Sequence, residues 1–476
     1  MNSLGKKVSF LGIDVGTSSC KGVLISERGK VLAEASASYP LLFTPYGIEQ
    51  SPADLWEGVR KVINEITQVA NAEIRGVGVT SQGITFIPVD EQGNPLANAI
   101  SWLDTRAEEE LAEVLRILSE DEIFSLTGKR AEAYYLLPKL LWLRKNAKET
   151  YERAHKFLLV ADFIVMKLTG ETKTDHTLAG GTLLYDVVRN RWAERIMEEF
   201  GISQAKFPAI CWAGELIGYV RESEETGLRK GTPIVIAGQD QKCASFAVGL
   251  REGIATISIG TASAITTITP FPLIDKKMRI PLFPYISPGK WVLEGVVSTA
   301  GACYDWWRKM VRKRLRQLPS PARFPHLPFF FPYLTGASSP AWKKEARGSF
   351  HNLSLSTTGE EMLFAIIEGV CFEIRKNIEV IEELVGEIKE FVAFGGGAKD
   401  RTWRMILTNV LGRRVFFPKI KDASAFGAAV LAGKSEGFFK ELPKRQGEFL
   451  EPETELQKIF QERYSLAQRE FNKFGS

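Results

Sequence analysis

An apolar run over residues 10–13 stops at Asp14 and a turn of small residues, Gly16-Thr17-Ser18, before a second apolar run over 22–25. This pattern predicts two strands joined by a tight turn, with a third strand over 31–36. Ser51-Pro52-Ala53-Asp54 reads as a helix start: a hydroxyl cap, proline at the first helical position and an acid in the first turn. Leu55, Val59, Ile63, Ile66 and Ala70 then recur at helical spacing and define one apolar face. Short strands are expected over 74–80 and 84–89. Strand, helix and strand in this order indicate a mixed α/β sheet rather than a bundle.

Residues 105–170 read as mainly helical, with Thr105 as the cap of a helix over 106–118 and further helices over 136–146 and 161–168. Short strands return over 214–236, a helix is expected over 240–250, and two strands over 253–269. Periodicity stops over 318–348, where prolines surround Phe329-Phe330-Phe331. A loop of that length is expected to be functional or to cover an apolar surface. A long amphipathic helix follows over 360–384, then a strand running into Gly395-Gly396-Gly397. The strand-Gly-Thr pattern at Ile259-Gly260-Thr261 repeats the opening element about half a chain later. Two domains, 1–245 and 246–476, with a boundary near 240–252, are therefore expected, and the shared opening suggests a duplication.

Composition narrows the class. A chain of 476 residues is too long for one core. Its 61 basic and 57 acidic residues leave a net charge of +4, which offers no argument for a nucleic-acid or membrane surface. The five cysteines (20, 211, 243, 303, 371) are scattered and never form a CxxC pair, which favours reduced thiols over disulfides or zinc. The four histidines have no metal-ligand spacing. The first residues show no signal-peptide pattern, and no apolar run reaches the ~18 residues of a membrane span. A soluble cytoplasmic protein is expected.

The opening turn suits phosphate. Gly16 lets a ligand approach, the N–H groups and hydroxyls of Thr17 and Ser18 can face phosphate oxygens, and Asp14 can hold hydrated Mg2+. An ordinary hairpin would look the same. Neither a Walker A loop nor a GxGxxG fingerprint is present. Phosphate-facing turns in separate halves would instead clamp a nucleoside triphosphate, with the third turn near adenine or ribose. Asp240, in Gly238-Gln239-Asp240-Gln241, stands at a strand end as either a general base or a helix cap. Trp102 can cover the apolar face of a polyol while Asp104 and Arg106 hydrogen-bond nearby or pair at a helix start. Tyr134-Tyr135 can present hydroxyls or simply pack.

With these pieces in order, the chain resembles the FGGY carbohydrate kinases, whose fold is two actin-like (ribonuclease H-like) α/β domains of the hexokinase, Hsp70 and actin superfamily around a central cleft. The resemblance runs nearly end to end. It is carried by Gly12-Ile13-Asp14-Val15-Gly16-Thr17-Ser18, Ser101-Trp102-Leu103-Asp104-Thr105-Arg106, Gly238–Gln241, Ser258–Thr261, Gly395–Lys399 and Asp422–Gly427. It implies ATP and Mg2+ as cofactors and a small-molecule sugar or polyol as partner, with oligomeric state open and a homodimer among the options. It places Gly16, Thr17, Ser18, Lys21, Gly260, Thr261, Gly396, Gly397 and Ala398 at ATP, and Asp14 and Asp240 at the metal. Asp240 would be the catalytic base, and Gln82, Trp102, Asp104, Tyr134, Asp240 and Gln241 would line the sugar site, as in the xylulokinase-like branch.

The acceptor is less legible. After Thr80-Ser81-Gln82, glycerol kinases carry Arg-Glu and xylulokinases Met-His, whereas this chain has Gly83-Ile84. A ketose such as a pentulose is the leading acceptor, with an alditol, cyclitol or sugar acid as the alternative. Outside kinases, the competing classes are a non-metabolic actin/Hsp70-like ATPase and an inactive sugar sensor.

Overall fold

The computed structural model describes residues 7–474 apart from 70–71, 223–224, 312–314, 316–317 and 445; Ala70 lies outside them. Two sheets repeat one construction. In the first half, β1 (Lys7–Val15), β2 (Ser19–Ser26) and β3 (Val31–Ser38) form an antiparallel meander. Helix α1 (Pro52–Val69) leads to β4 (Ala72–Ser81), parallel to β1; α2 (Val160–Thr169) leads to β5 (Pro233–Gln239), parallel to β4; and α3 (Asp240–Ala247) closes the unit. In the second half, the meander is β6 (Ile254–Ile259), β7 (Ser263–Thr269) and β8 (Trp291–Val297). Then follow α4 (Gly359–Val385), parallel β9 (Glu390–Phe394), α5 (Arg401–Leu411), parallel β10 (Val415–Pro418) and α6 (Ala423–Ser435). The strand orders β3-β2-β1-β4-β5 and β8-β7-β6-β9-β10 match position for position, as expected of a duplicated actin-like unit.

Local sequence explains the frame. Ser51 Oγ accepts from Asp54 N at 3.2 Å and starts α1, whose buried face is Leu55, Val59, Val62, Ile63 and Ile66. Thr358 and Glu361 form a reciprocal capping box on α4. The 136–146 helix has the expected bounds, Leu136–Asn146. The proline-rich stretch is a packed cover: Phe329–Phe331 pairs with Ser349–His351, and its three phenylalanines are buried. All five cysteines are free and buried. No described helix is long and apolar enough to cross a membrane.

Two local expectations are corrected. The helix expected over 106–118 with Thr105 as cap runs from Glu108 to Ile117, with Ala107 ahead of it and no side-chain cap. Asp104 Oδ1 accepts from Arg106 N at 3.0 Å, which turns the chain before the helix can start. The strand expected from residue 84 begins at Phe86, because Thr85 N bonds Gly83 O at 2.8 Å and Ile84 has φ 70°.

Segments between β3 and α1 and between β4 and α2 together build a further, five-stranded sheet that includes Gly47–Gln50, Ala99–Ile100 and Phe86–Val89. It stands over the carboxyl end of β1, to which it is tied by Gln50 and Trp102. Helix α6 of the second half lies on the first sheet. A Cβ on Gly12 would overlap the carbonyl oxygen of Ala425, and one on Gly78 that of Ala428. The helix can approach only because both strands carry glycine there. Gly12→Ala is therefore expected to destabilise the protein by about 3 kcal/mol, read as a lower denaturation midpoint in urea, whereas Gly231→Ala, with open space around it, should lose less.

Candidate active site

Strands β1, β4 and β5 run parallel and end side by side, with Val15 opposite Ser81 and Gln239 opposite Ser81. Their carboxyl ends deliver Asp14 and the Gly16–Ser18 turn, Gln82, and Gln239-Asp240 to one edge. Ligands of open α/β sheets gather at such an edge. The second sheet does the same with β6, β9 and β10, which present Gly260-Thr261, Gly395–Ala398 and, ahead of α6, Asp422.

The two Gly-Thr turns share one polarity. In the first, the carbonyl of Gly16 accepts from Tyr39 Oη at 2.7 Å, that of Thr17 from Gln50 Nε2 at 2.8 Å and that of Ser18 from Tyr39 N at 3.1 Å. In the second, the carbonyl of Gly260 accepts from Gly301 N at 2.9 Å, and that of Thr261 from Ala300 N at 2.9 Å and Ala302 N at 3.2 Å. The carbonyls are thus tied off inward, while the N–H groups of Thr17, Ser18 and Thr261 have no protein acceptor. Free amide donors at a strand end make an anion-binding concavity. The third turn is partly architectural. A Cβ on Gly395 would lie 2.7 Å from Ile259 O, and one on Gly397 would collide with the Ile259 side chain, so both let β9 close against β6. Gly396 is the open position, its Cβ site 3.8 Å from Ile259 O.

Asp14, Asp240, Asp422 and Lys21 form one electrostatic group. Asp422 Oδ1 caps α6 through Ala425 N at 3.0 Å, and its Oδ2 pairs with Lys21 Nζ at 2.8 Å. Asp14 is buried and its Oδ1 has no partner. Burial first, then the charges of Asp422 and Asp240, push its carboxyl well above the usual range, against Lys21. Asp240 is the first residue of α3, and Gln239, which has no side-chain cap bond, stands at the cap. Asp240 is therefore not a cap. Its Oδ1 accepts from Gln239 Nε2 at 2.6 Å and Gln241 N at 2.7 Å, and its Oδ2 accepts nothing from the protein. Burial raises this carboxyl to about 6, opposed by the Gln241 N–H and Lys242 and reinforced by Glu294 and Asp422.

No three histidine, cysteine or acidic side chains among the described residues gather into an all-protein metal cage. The unpartnered Asp14 Oδ1 and its carboxylate neighbours fit Mg2+ instead, which keeps most of its waters and takes one or two carboxylates.

On the insertion side, Gln82 Nε2 donates to Gln50 Oε1 at 2.7 Å, and Trp102 Nε1 to Thr17 Oγ1 at 2.9 Å, so both stand beside the first turn. Tyr134 packs against Tyr135 with ring centroids 4.5 Å apart, and Gln241 adjoins Asp240. Asp104 is a correction to the expected sugar contacts. It is 1% exposed and spends its oxygens on Ile48 N, Arg106 N and the Arg106 guanidinium, which also reaches Glu49. It braces the loop that carries Trp102. Three residues were not anticipated in a site role. Asp422 was legible by symmetry, since it precedes α6 as Asp240 opens α3. Gln50 and Thr177, whose Oγ1 accepts from Gln239 N at 2.7 Å, carried no local signal.

Residues 9–247 match the N-terminal domain of the FGGY family of carbohydrate kinases, and residues 255–436 its C-terminal domain. The chain is 28% identical to the xylulose kinase of Bacillus subtilis (strain 168), over 92% of this chain and 91% of that one. It is 29% identical to the gluconokinase of the same organism, over 90% and 88%. A ligand-bound xylulose kinase structure from Lactobacillus acidophilus superposes with a TM-score of 0.90 at 25% identity, covering 98% and 99%. With both family domains matched in order on a duplicated actin-like frame, the chain belongs to the FGGY family of carbohydrate kinases and is a phosphotransferase.

Proposed function

We propose that this kinase transfers the γ-phosphoryl group of MgATP to a hydroxyl of a ketose such as a pentulose, with Asp240 as general base. The observation that carries the reading is the state of Asp240: Oδ1 is pinned by two donors, Oδ2 is free, and its carboxyl sits near 6. A base so placed is ionised at neutral pH yet still basic enough to take a hydroxyl proton as the acceptor oxygen bonds to phosphorus.

The rest of the site serves position and charge. The N–H groups of Thr17, Ser18 and Thr261, with Gly16 and Gly260 leaving room, hold phosphate oxygens. Lys21, paired with Asp422, adds a cation at the same edge. Gly396 and Ala398, with Gly397 behind them, bound the adenosine. Asp14, with Asp240 beside it, would hold Mg2+, which when bound neutralises phosphate charge. Gln82, Trp102, Tyr134 and Gln241 surround the acceptor. We assign the acceptor and part of the phosphate site to the domain 1–245 and the adenosine site to the domain 246–476. A sugar acid is the second reading, supported by the similarity to a gluconokinase.

Asp240→Asn is expected to bind ATP normally while phosphorylation falls by about 10²- to 10⁴-fold, measured by calorimetry and ADP release. Near-normal turnover would refute the assignment. In the wild type, log rate should rise with pH and level off above about 6, where Asp240 loses its proton. The same carboxyl opposes folding. Its folded value, raised from 3.8 to about 6, means that its proton-linked stability is complete below 3.8 and is lost as pH rises through 6. Asp240→Asn should therefore be more stable than wild type at pH 7.5 by up to about 3 kcal/mol, with the gain vanishing below about pH 4 in urea denaturation.

A further inference from the structure

We propose that the side-chain amides of Gln239 and Gln82 form a pair of hydrogen-bond acceptors that select a neutral polyhydroxy acceptor over a sugar acid, with Gln239 as a specificity-determining residue. The proposal rests on the kinase reading above and narrows its substrate class.

Hydrogen-bond polarity carries the argument. The carbonyl of Thr17 can only accept, so Gln50 must turn its NH2 group towards it, at 2.8 Å. Gln50 Oε1 then faces Gln82, which must donate its own NH2 group, at 2.7 Å. The direction of this relay is fixed from its first member, and it leaves Gln82 Oε1 as the terminal group. That atom is buried and has no partner. Gln239 is oriented independently. Its NH2 group faces the Asp240 carboxylate at 2.6 Å, and its Oε1 is likewise buried without a partner. Buried polar atoms left in this state need a donor from elsewhere.

The two amides come from neighbouring strand ends, since Gln239 stands opposite Ser81 in the β4–β5 register. Gly83 provides the space: a Cβ there would lie 3.2 Å from Gln239 Cγ. Gly83 thus leaves room for the Gln239 side chain.

The charges point the same way. Lys139 Nζ donates to Ser101 O at 2.6 Å, Arg106 is held by Asp104 and Glu49, Lys242 pairs with Glu294 at 2.7 Å, and Lys21 pairs with Asp422. Each of these cations already has an acceptor. A carboxylate placed against these two amide oxygens, with the Asp240 carboxylate beside Gln239, would meet acceptors and an anion there. Hydroxyl groups would supply the missing donors. A site whose buried polar groups are matched to substrate hydroxyls discriminates strongly against a compound that cannot pair them.

The test is ADP release by the full-length protein with D-xylulose, D-ribulose, xylitol, myo-inositol and D-gluconate. The best neutral compound should exceed gluconate in kcat/KM by at least about tenfold. Gln239→Ala should raise KM for that compound by about tenfold with a smaller change in kcat, while binding of a non-hydrolysable ATP analogue stays at the wild-type value and reports an intact fold. Gluconate as the preferred acceptor overturns the inference and leaves the kinase reading standing. An unchanged KM in Gln239→Ala overturns the role of Gln239. No ADP release with any of the five overturns both this inference and the proposed ketose activity.

Discussion

Everything at the catalytic edge depends on one close approach, that of α6 to the first sheet. Gly12 and Gly78 leave the faces of β1 and β4 bare, and the carbonyls of Ala425 and Ala428 occupy the space. Ala425, Ala428, Ala429 and Val430 are all completely buried. The far end of the chain therefore completes the core of the first half. Gly427 repeats the device against α3, where a Cβ would lie 2.5 Å from Cys243 O. Because α6 starts where it does, its cap Asp422 falls beside Lys21 and Asp14. Three carboxylates and one lysine would not assemble by their own attraction, since the acids repel and burial disfavours their charge. Apolar packing behind them brings them together.

The site accordingly opposes the stability that the core provides. Asp14 is held against desolvation and two like charges, and its Oδ1 has no donor. Gln82 and Gln239 each carry a buried acceptor without a partner. Ile84, a β-branched residue, takes φ 70°, a conformation such side chains rarely adopt. These unfavourable features lie along the same strand ends. Strain and unmet polar groups persist where a ligand relieves them and the surrounding fold over-determines them.

Much of this was legible in the sequence, for identifiable reasons. Strand-turn-strand at Asp14 and the Gly260-Thr261 repeat suggested the duplicated frame, because continuous apolar runs of strand length broken by small-residue turns point to buried strands. The helix at 136–146 could be read to its ends. Thr105 could not be read correctly as a cap, since whether a threonine caps depends on the turn before it, and Asp104 had already turned the chain. Asp104 itself looked like a ligand beside Trp102. Its partner Ile48 N is 56 positions away in sequence, and no local pattern reveals such a bond. Gln50 and Thr177 were hidden for the same reason. Whether Asp240 caps or catalyses was also undecidable locally, because both roles place an acid at a helix start; the position of Gln239 settles that it does not cap.

The segment that carries Asp240 is also tied to the second half. Lys242, two residues beyond Asp240, pairs with Glu294 of β8 at 2.7 Å, and Glu294 takes a second bond from Thr266 at 3.2 Å. The Lys242 ammonium lies 3.7 Å from the centre of the Phe283 ring, and Lys129 approaches that ring at 4.1 Å. Lys129 also donates to Leu282 O at 3.2 Å, so a second lysine of the first half engages the strand Leu282–Pro284, which pairs with β8. Separating a buried ion pair by removing one partner costs about 3–5 kcal/mol. Relative motion of the halves that broke this contact would meet a cost of that order, so motion that turns about it is favoured. Asp240 would then lie close to the pivot and move little, while the Gly260-Thr261 turn, at the far end of β6, swings through the larger arc. Under the roles proposed for Asp240 and Thr261, such a motion would bring the Gly260-Thr261 turn towards the acceptor without displacing the base.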